Sequence, residues 1–347
     1  MTDPVGRRDF LRYSLAGGAL LAGGGPVLAR AAAEVSPPVT AVEKLSVWAL
    51  TDNYFDSNRP DAKITRRFRA GPGRLIHAEH GLSFFAEAVV DGKPTACMFD
   101  YASDPDGVLH NAELIGVDPG RAAAFALSHG HWDHYLSAVE VLRRSQARIA
   151  RGTRFYVGEE AFARRYAVRP GQAAPTDLGQ LRKDPIEGFG LVVTEVKART
   201  EIVPGAYLTG NIERVTSYEK VAPSYLVGRG DKIEQDTFPG EQGLFFHVKG
   251  KGLVVLSGCA HAGIVNTVRQ AQKVSGIARV HAILGGFHLT GAKPEVIQST
   301  VADVKAIKPD FIIPAHCSGF ETLAAFAREM PDELVLSTAG TQYLFGA

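Results

Sequence analysis

From Leu45 onward, short apolar runs alternate along the chain with stretches in which apolar residues recur every three or four positions. A short apolar run between polar turns is typical of a buried strand, whereas the longer spacing is typical of a helix packed on one face. The runs that predict strands are residues 46–50, 82–86, 96–99, 122–127, 253–256, 282–284 and 311–313. Helical spacing follows three of them, at Tyr135, Val139 and Leu142, at Ile264, Val268 and Ala271, and at Ile297, Val301 and Val304. This alternation predicts an α/β fold with helices packed on the faces of sheets.

Two segments interrupt the regular pattern. Residues 34–44, which contain Ser36-Pro37-Pro38, are typical of a short linker, so the globular domain is expected to span residues 45–347. Residues 145–240 are rich in proline, glycine and charged positions. We therefore predict a long loop-rich segment here, which shapes the entrance to the binding site.

The first 33 residues have the order of features found in a twin-arginine export signal. Arg7-Arg8 precedes Phe10-Leu11, then come a glycine-rich apolar stretch at 14–28 and small residues at 29–33 that offer a cleavage site. The apolar stretch is too short and too rich in glycine for a stable membrane span. We expect export by the twin-arginine machinery to the periplasm or beyond, with no stable membrane association; a disordered basic leader is the alternative.

Composition excludes some partners. The chain has 38 basic and 37 acidic residues, 45% apolar residues and a formal charge of +1, which is the balance of a globular protein. No global field favours nucleic acid, and no basic stretch with interleaved aromatic residues appears, so nucleic-acid binding is not expected. Three cysteines are too few for a disulfide framework.

A dense group of metal-ligand side chains follows the predicted strand 122–127. Residues 129–134 read His-Gly-His-Trp-Asp-His. His129 and His131 are two apart in an extended segment, so both side chains point the same way and reach one ion. Asp133 and His134 follow in the first helical turn, which places them to hold a second ion beside the first. A polar surface turn is the alternative explanation for this motif.

Three further histidines each follow a predicted strand: His261, His288 and His316. In open α/β sheets, ligands bind at the carboxyl ends of the strands, so these residues are expected on the same rim as the first motif. We predict that His261 and His316 are metal ligands. His288 is the candidate for polarising the substrate or protonating a leaving group, although a role as a ligand or beside the ligands is also open.

The chain resembles the metallo-β-lactamase superfamily over essentially the whole domain. Within it, five motifs resemble the branch of dihydropterin (β-ribofuranosylaminobenzene 5′-phosphate synthase-like) hydrolases: Glu79-His80-Gly81-Leu82-Ser83, Ser128-His129-Gly130-His131, Gly258-Cys259-Ala260-His261-Ala262-Gly263-Ile264-Val265-Asn266, Gly286-Phe287-His288-Leu289 and Pro314-Ala315-His316-Cys317. The resemblance implies a four-layer αβ/βα sandwich. It also implies one ion held by His129, His131 and a third histidine, and another held by Asp133, His134 and a late histidine.

The sequence departs from the superfamily pattern at two positions. The usual third histidine would precede the strand 253–256, where no good candidate stands, so we assign that role to His261 and the late role to His316. The usual bridging aspartate would follow Gly258, and that position holds Cys259. Cys259 is either a ligand or a buried small apolar residue.

The chemistry expected of such a site is hydrolysis. Two cations that share a water can generate a metal-bound hydroxide, which Asp133 would orient. Residues 45–347 are then the catalytic domain of a hydrolase for a small-molecule ester, lactone or phosphoester. Two zinc ions, one at each site, are the expected cofactors, with iron or manganese as alternatives. The competing interpretations are an iron-dependent redox enzyme of the sulfur dioxygenase kind and a non-catalytic binder of a pterin-like ligand.

Three further sets of residues are candidates for roles beside the metal ligands. Asp100 follows the predicted strand 96–99 and is expected to orient a ligand histidine. Asp52-Asn53 and Glu79-His80 either line the pocket or form turns and caps.

Overall fold

The computed structural model describes residues 38–346, apart from residues 169, 170 and 173. The predicted export signal at residues 1–33 lies outside this range. Part of the predicted linker is inside it, and there Ala41–Val42 forms a strand paired with residues 247 and 248. Strand pairing therefore includes two of the residues that the sequence placed in the linker. Within the described part of the chain, no helix has both the length and the apolar character needed to cross a membrane.

The described residues form nineteen strands and seven α-helices. The strands are β1 (Ala41–Val42), β2 (Lys44–Thr51), β3 (Thr65–Arg67), β4 (Ser83–Val90), β5 (Lys93–Phe99), β6 (Ala124–Ala126), β7 (Arg154–Val157), β8 (Arg165–Ala167), β9 (Thr176–Gly179), β10 (Val192–Glu195), β11 (Thr200–Val203), β12 (Ala206–Leu208), β13 (Tyr225–Arg229), β14 (Lys232–Gln235), β15 (Leu244–Val248), β16 (Gly252–Ser257), β17 (Val280–Gly286), β18 (Phe311–Ala315) and β19 (Thr341–Gly346). The helices are α1 (Pro105–Leu114), α2 (Trp132–Tyr135), α3 (Ala138–Ser145), α4 (Lys183–Gly188), α5 (Ile264–Ser275), α6 (Pro294–Ile307) and α7 (Phe320–Glu329). Each of the seven predicted strands overlaps an observed one.

Two large sheets form the centre of the domain. One has eight strands in the order β10-β7-β6-β5-β4-β2-β19-β3, and the other has β11-β12-β15-β16-β17-β18 with β1 beside β15. Side chains from both sheets meet in one buried cluster that includes Leu45, Phe84, Phe246, Leu256 and Leu284. Burial of each large apolar side chain contributes roughly 1.5 to 3 kcal/mol, so this layer between the sheets is a major source of stability.

Helices cover the outer face of each sheet. Alternation along a strand explains how one segment serves two layers: on β16, Val254 and Leu256 face the other sheet, whereas Leu253 and Val255 face the helices. Helices α5, α6 and α7 pack on this side, and α1, α3 and α4 pack on the outer face of the eight-stranded sheet. The predicted four-layer αβ/βα sandwich is thus confirmed.

The described residues of the segment 145–240 contain more strands than the composition of the segment predicted. Eight strands, β7 to β14, lie in this segment. Four of them form a separate small sheet in the order β14-β13-β8-β9. These strands are short and partly exposed, as in β14, whose four residues are all exposed. A strand that buries no face leaves no apolar run in the sequence, which is why the periodicity missed them.

The candidate site residues lie at one edge of the two central sheets. Strands β5, β6 and β7 are parallel, as are β16, β17 and β18. Parallel strands in a sheet have their carboxyl ends on the same edge. That edge carries Asp100 after β5, residues 129–134 after β6, residues 259–261 after β16, His288 after β17 and His316 after β18.

Candidate metal centre

Three histidines converge at the strand ends to form a first cluster: His129, His131 and His261. The Nε2 atom of His261 lies 3.2 Å from Nε2 of His129 and 3.1 Å from Nδ1 of His131. All three side chains are buried. Lone pairs that face one another at this distance, away from water, repel unless a proton or a metal ion lies between them, so the donor set fits a metal ion.

Two contacts and a sharp backbone turn fix the position of His261. The buried carboxylate of Glu241 accepts hydrogen bonds from the backbone amides of His261, at 2.7 Å, and of Ala262. The ring of Phe238 stacks on the imidazole with 3.9 Å between centroids. Ala260, just before it, adopts a left-handed backbone with φ of 61°. The chain therefore turns sharply after β16 and directs His261 toward the histidines that follow β6.

The first cluster carries no positive charge at neutral pH. Burial, together with the other histidines, lowers the pKa of His129 and of His261 well below the usual value. Burial likewise lowers the pKa of His131. Neutral imidazole is the form that binds metals, so these rings are ready to act as ligands without first releasing a proton.

Asp133, His134 and His316 form a second cluster beside the first. Oδ2 of Asp133 lies 3.2 Å from Nε2 of His316 and 3.8 Å from Nε2 of His134. Burial opposes ionisation of Asp133, but the neighbouring histidines outweigh it and keep the pKa of that carboxyl well below its usual range. The second cluster therefore contains a carboxylate, and its donor set of two imidazoles and one carboxylate also fits a divalent ion.

Hydrogen bonds fix the outer nitrogen of each histidine in the second cluster. Nδ1 of His134 lies 2.7 Å from Oδ2 of Asp100, and Nδ1 of His316 lies 3.1 Å from Oδ1 of Asn53. Such partners orient a ligand and set its tautomer. Burial opposes protonation of His134, but the charges of Asp100 and Asp133 outweigh it and raise the pKa of His134 to about 9. The expected orienting role of Asp100 therefore has a direct geometric basis.

Asp100 also reaches the first cluster. Its two carboxylate oxygens accept hydrogen bonds from the backbone amide and the hydroxyl of Ser128, both at 2.7 Å. The same hydroxyl lies 2.9 Å from Nδ1 of His129. Asp100 thus couples the strand end after β5 to both groups of histidines.

Cys259 lies where the two clusters meet. Its Sγ is 3.1 Å from Nε2 of His134. It belongs to a group of ligand atoms with His129 and His261, and to another with Asp133, His134 and His316. Burial raises the pKa of the Cys259 thiol, so a thiolate at this position requires a nearby positive charge such as a metal ion.

His288 lies beside the first cluster rather than in it. Its ring centroid is 4.1 Å from that of His261 and 5.5 Å from that of Tyr225. The backbone is left-handed, with φ of 49°, as is that of His316. Strained backbone of this kind tends to cluster at functional sites. The predicted catalytic role of His288 stays a prediction.

Sequence reasoning left the role of His80 open and did not identify Tyr225 at all. The structure places both on the wall of a cavity of about 310 Å³ above the clusters, together with His131, Trp132 and Asp133. Nε2 of His80 lies 3.5 Å from Oδ2 of Asp133. Tyr225 gives no signal in the sequence because it comes from β13, in the small sheet that the apolar pattern missed.

A second cavity lies next to this one, on the other face of Trp132. This neighbouring cavity, of about 720 Å³, is lined by Trp132 and Leu178, which both cavities share, and by Arg164 and Arg182. Arg164, residues 176–180 and Arg182 therefore line this neighbouring cavity, and the entrance role expected of the segment 145–240 stays a prediction. A third cavity of about 950 Å³ lies on the other side of His316, beside α7.

No protein-family model matches the chain. Among curated proteins, it is similar to the 7,8-dihydropterin-6-methyl-4-(β-D-ribofuranosyl)-aminobenzene-5′-phosphate synthase of Methanocaldococcus jannaschii, with 27% identity over 302 residues that cover 86% of this chain and 96% of the synthase. An uncharacterized protein of the same archaeon is 25% identical over 258 residues, which cover 74% of this chain and 90% of that protein.

Among solved structures, the chain is similar to a metal-dependent hydrolase of the β-lactamase superfamily. The TM-score is 0.68 at 23% identity, and the match covers 87% of this chain and 100% of the hydrolase. The chain therefore has the metallo-β-lactamase fold, as its motifs predicted. The resemblance to the dihydropterin branch is likewise confirmed, as similarity to the archaeal synthase along most of the chain.

Proposed function

We propose that the chain is a metal-dependent hydrolase that acts on a small-molecule ester, lactone or phosphoester. The observation that carries this proposal is the pair of adjacent ligand clusters, buried at the strand ends and open to one cavity. Metal ions held there supply an activated water and a Lewis acid. His129, His131 and His261 would hold one ion, and Asp133, His134 and His316 would hold the other.

The side chains around the clusters have separate tasks in such a reaction. Asp133 is ionised and lies at the cavity wall, so its carboxylate can accept a hydrogen bond from the attacking water and orient it. His80 lies on the same wall, is partly exposed and can contact the substrate or its leaving group. His288 sits next to His261 and keeps the role of substrate polarisation that its position predicted. Tyr225 and Trp132 limit the width of the entrance.

Zinc is the metal that the donor set favours. Imidazole and carboxylate donors in a buried cluster suit zinc, although imidazole also suits iron. Export by the twin-arginine route accompanies this proposal, because that route carries proteins that have already folded and bound their metal. Replacing Arg7 and Arg8 with lysine should keep the protein in the cytoplasm, as measured by cell fractionation; an unchanged periplasmic fraction would contradict export by this route.

Metal analysis of the purified protein tests the proposed function. We expect about two zinc ions per chain. We also expect hydrolysis in a panel of esters, lactones and phosphodiesters, and this activity should stop on chelation and return when zinc is added. Tightly bound iron, together with oxygen uptake when persulfides are added, would favour the iron-dependent redox enzyme over the hydrolase. Failure to bind any of zinc, iron or manganese after reconstitution would overturn the metal centre and favour a ligand binder.

A second candidate reaction comes from the similarity to the archaeal synthase. Because that relative is named for making a dihydropterin joined to ribofuranosylaminobenzene 5′-phosphate, the substrate panel should include dihydropterin and aminobenzene phosphate compounds. Joining of the two compounds at a higher rate than hydrolysis of any panel member would favour synthesis over hydrolysis.

A further inference from the structure

The thiol of Cys259 occupies the boundary between the two ligand clusters. Its Sγ lies within 4.8 Å of the ligand atoms of His129 and His261, and within the same distance of those of Asp133, His134 and His316. In the described part of the chain, it is the one residue that appears in both groups. A ligand in that position can contact either ion, or both.

The backbone on both sides of Cys259 is fixed by close contacts. A Cβ added at Gly258 would meet Oγ of Ser128 at 2.0 Å and Oδ2 of Asp100 at 2.7 Å, so the chain here runs directly against the residues that orient the histidines. Glu241 holds the next loop residues from the other side. The position of Cys259 is therefore set by the same contacts that set the ligands.

We propose that Cys259 is a metal ligand, bound as a thiolate shared between the two ions, at the position where the superfamily pattern has an acidic bridge. This inference rests on the proposed metal centre. A thiolate supplies one negative charge to a site that otherwise has Asp133 as its anionic ligand. It is also a softer donor than a carboxylate, so it shifts the preference of the centre toward zinc, cobalt and ferrous iron and away from magnesium and manganese.

Cys317 is the natural competitor for this role and provides the matched control. Its Sγ lies 3.4 Å from Sγ of Cys259, and it is also buried from solvent. However, it belongs to neither histidine cluster; the ligand group that includes it contains only Cys259 and His288. The two sulfurs lie within hydrogen-bond distance, so the S–H of Cys317 can donate to Cys259 once Cys259 binds metal as a thiolate.

Cobalt substitution tests the assignment by spectroscopy, without any enzyme assay. The metal-free chain is loaded with Co²⁺, the bound cobalt is counted, and the near-ultraviolet absorption of thiolate-to-cobalt charge transfer is recorded. We expect this band in the wild-type chain, in Cys317→Ser and in Cys97→Ser, and its loss in Cys259→Ser and Cys259→Ala. Cys259→Asp should bind two cobalt ions without the band, because a carboxylate restores the bridge.

The outcomes separate this inference from the proposed function. Two bound cobalt ions without a charge-transfer band in the wild-type chain would overturn the ligand role of Cys259 and leave the metal centre intact. Loss of the band in Cys317→Ser, with retention in Cys259→Ser, would also overturn it and identify Cys317 as the thiolate. A wild-type chain that binds no cobalt would overturn the metal centre itself. If a Cys259 variant does not fold, the spectra of the wild-type chain and of Cys317→Ser still decide the matter: a band retained in Cys317→Ser supports Cys259, and a band lost there overturns the assignment.

Discussion

The two ligand clusters are adjacent but are held in different ways. In the first, Phe238 stacks on His261, and one outer nitrogen has a partner: Nδ1 of His129 lies 2.9 Å from the hydroxyl of Ser128. Among the described residues, neither Nε2 of His131 nor Nδ1 of His261 has a hydrogen-bond partner. In the second, Asp100 and Asn53 bond the outer nitrogens of both histidines. One cluster is neutral and shaped by its aromatic surroundings, whereas the other is charged and shaped by hydrogen bonds.

The two clusters should bind metal ions in different ways because their charges differ. The neutral cluster binds an ion only through the lone pairs of its imidazoles. These lone pairs are available because the buried rings carry no extra proton. A charged cluster attracts the ion through Asp133 as well, but His134 must first give up the proton that Asp100 and Asp133 favour on its ring. We therefore expect the two sites to respond differently to mutation and to pH.

The largest effect should follow from removing one ligand of each cluster. In a His131→Ala and Asp133→Ala double variant, activity should fall at least about 100-fold, since even residues behind the ligands typically cost 10- to 100-fold. The fold should survive, because both residues lie at a strand end and not in the core between the sheets. Activity assays and circular dichroism check this. Full activity in the folded double variant would contradict both clusters at once.

A smaller effect should appear when only the support of the second cluster is removed. Asn53→Ala deprives Nδ1 of His316 of its partner, and we expect roughly a tenfold loss of affinity for one of the two ions. Competition titration with a coloured chelator resolves the two binding steps. Asn58→Ala, at an exposed position in the same loop, is the matched control. Equal weakening of both steps in Asn53→Ala would remove the distinction between the clusters.

The smallest effect should be on stability as a function of pH in the metal-free protein. His129, His131 and His261 have folded-state pKa values below the unfolded value of about 6.5, so the unfolded chain binds more protons and stability falls as pH drops below about 6.5. The pKa of His134 is raised to about 9, so its contribution is complete below 6.5 and is lost as pH rises toward 9.

Stability of the metal-free protein should therefore be highest near neutral pH, with the melting temperature lower by roughly a few degrees on either side. Thermal unfolding from pH 5 to pH 9 measures this. In His134→Gln the loss on the alkaline side should disappear, while the loss on the acid side remains. An alkaline loss that persists unchanged in the variant would show that His134 does not carry the raised pKa.

The sequence identified most of the candidate site because its signals are local. Four ligand-type residues within 129–134, at the end of an apolar run, can be recognised without any knowledge of the fold. His261 and His316 were found because each follows a strand whose apolar run is continuous. Strands buried on both faces have such runs, which is why β16, β17 and β18 were easy to predict.

Other parts of the site have no local signal. Glu241 is a carboxylate between glycine and glutamine, and only the fold brings it to the backbone of His261. Tyr225 lies on a partly exposed strand of the small sheet, whose residues alternate too weakly to predict pairing. Strand β19 closes the eight-stranded sheet between β2 and β3, far from both in sequence.

The sequence by itself thus determined the strand–helix alternation, the α/β class and the side chains able to bind metal, because these depend on residue type and spacing within a few positions. Only the tertiary structure decided which nitrogen of each histidine faces its neighbours, that Cys259 lies between the two clusters, and that Asp100 connects them. Those arrangements depend on where five separate strand ends meet. Distances between loops after different strands are set by the packing of the two sheets and not by any one segment.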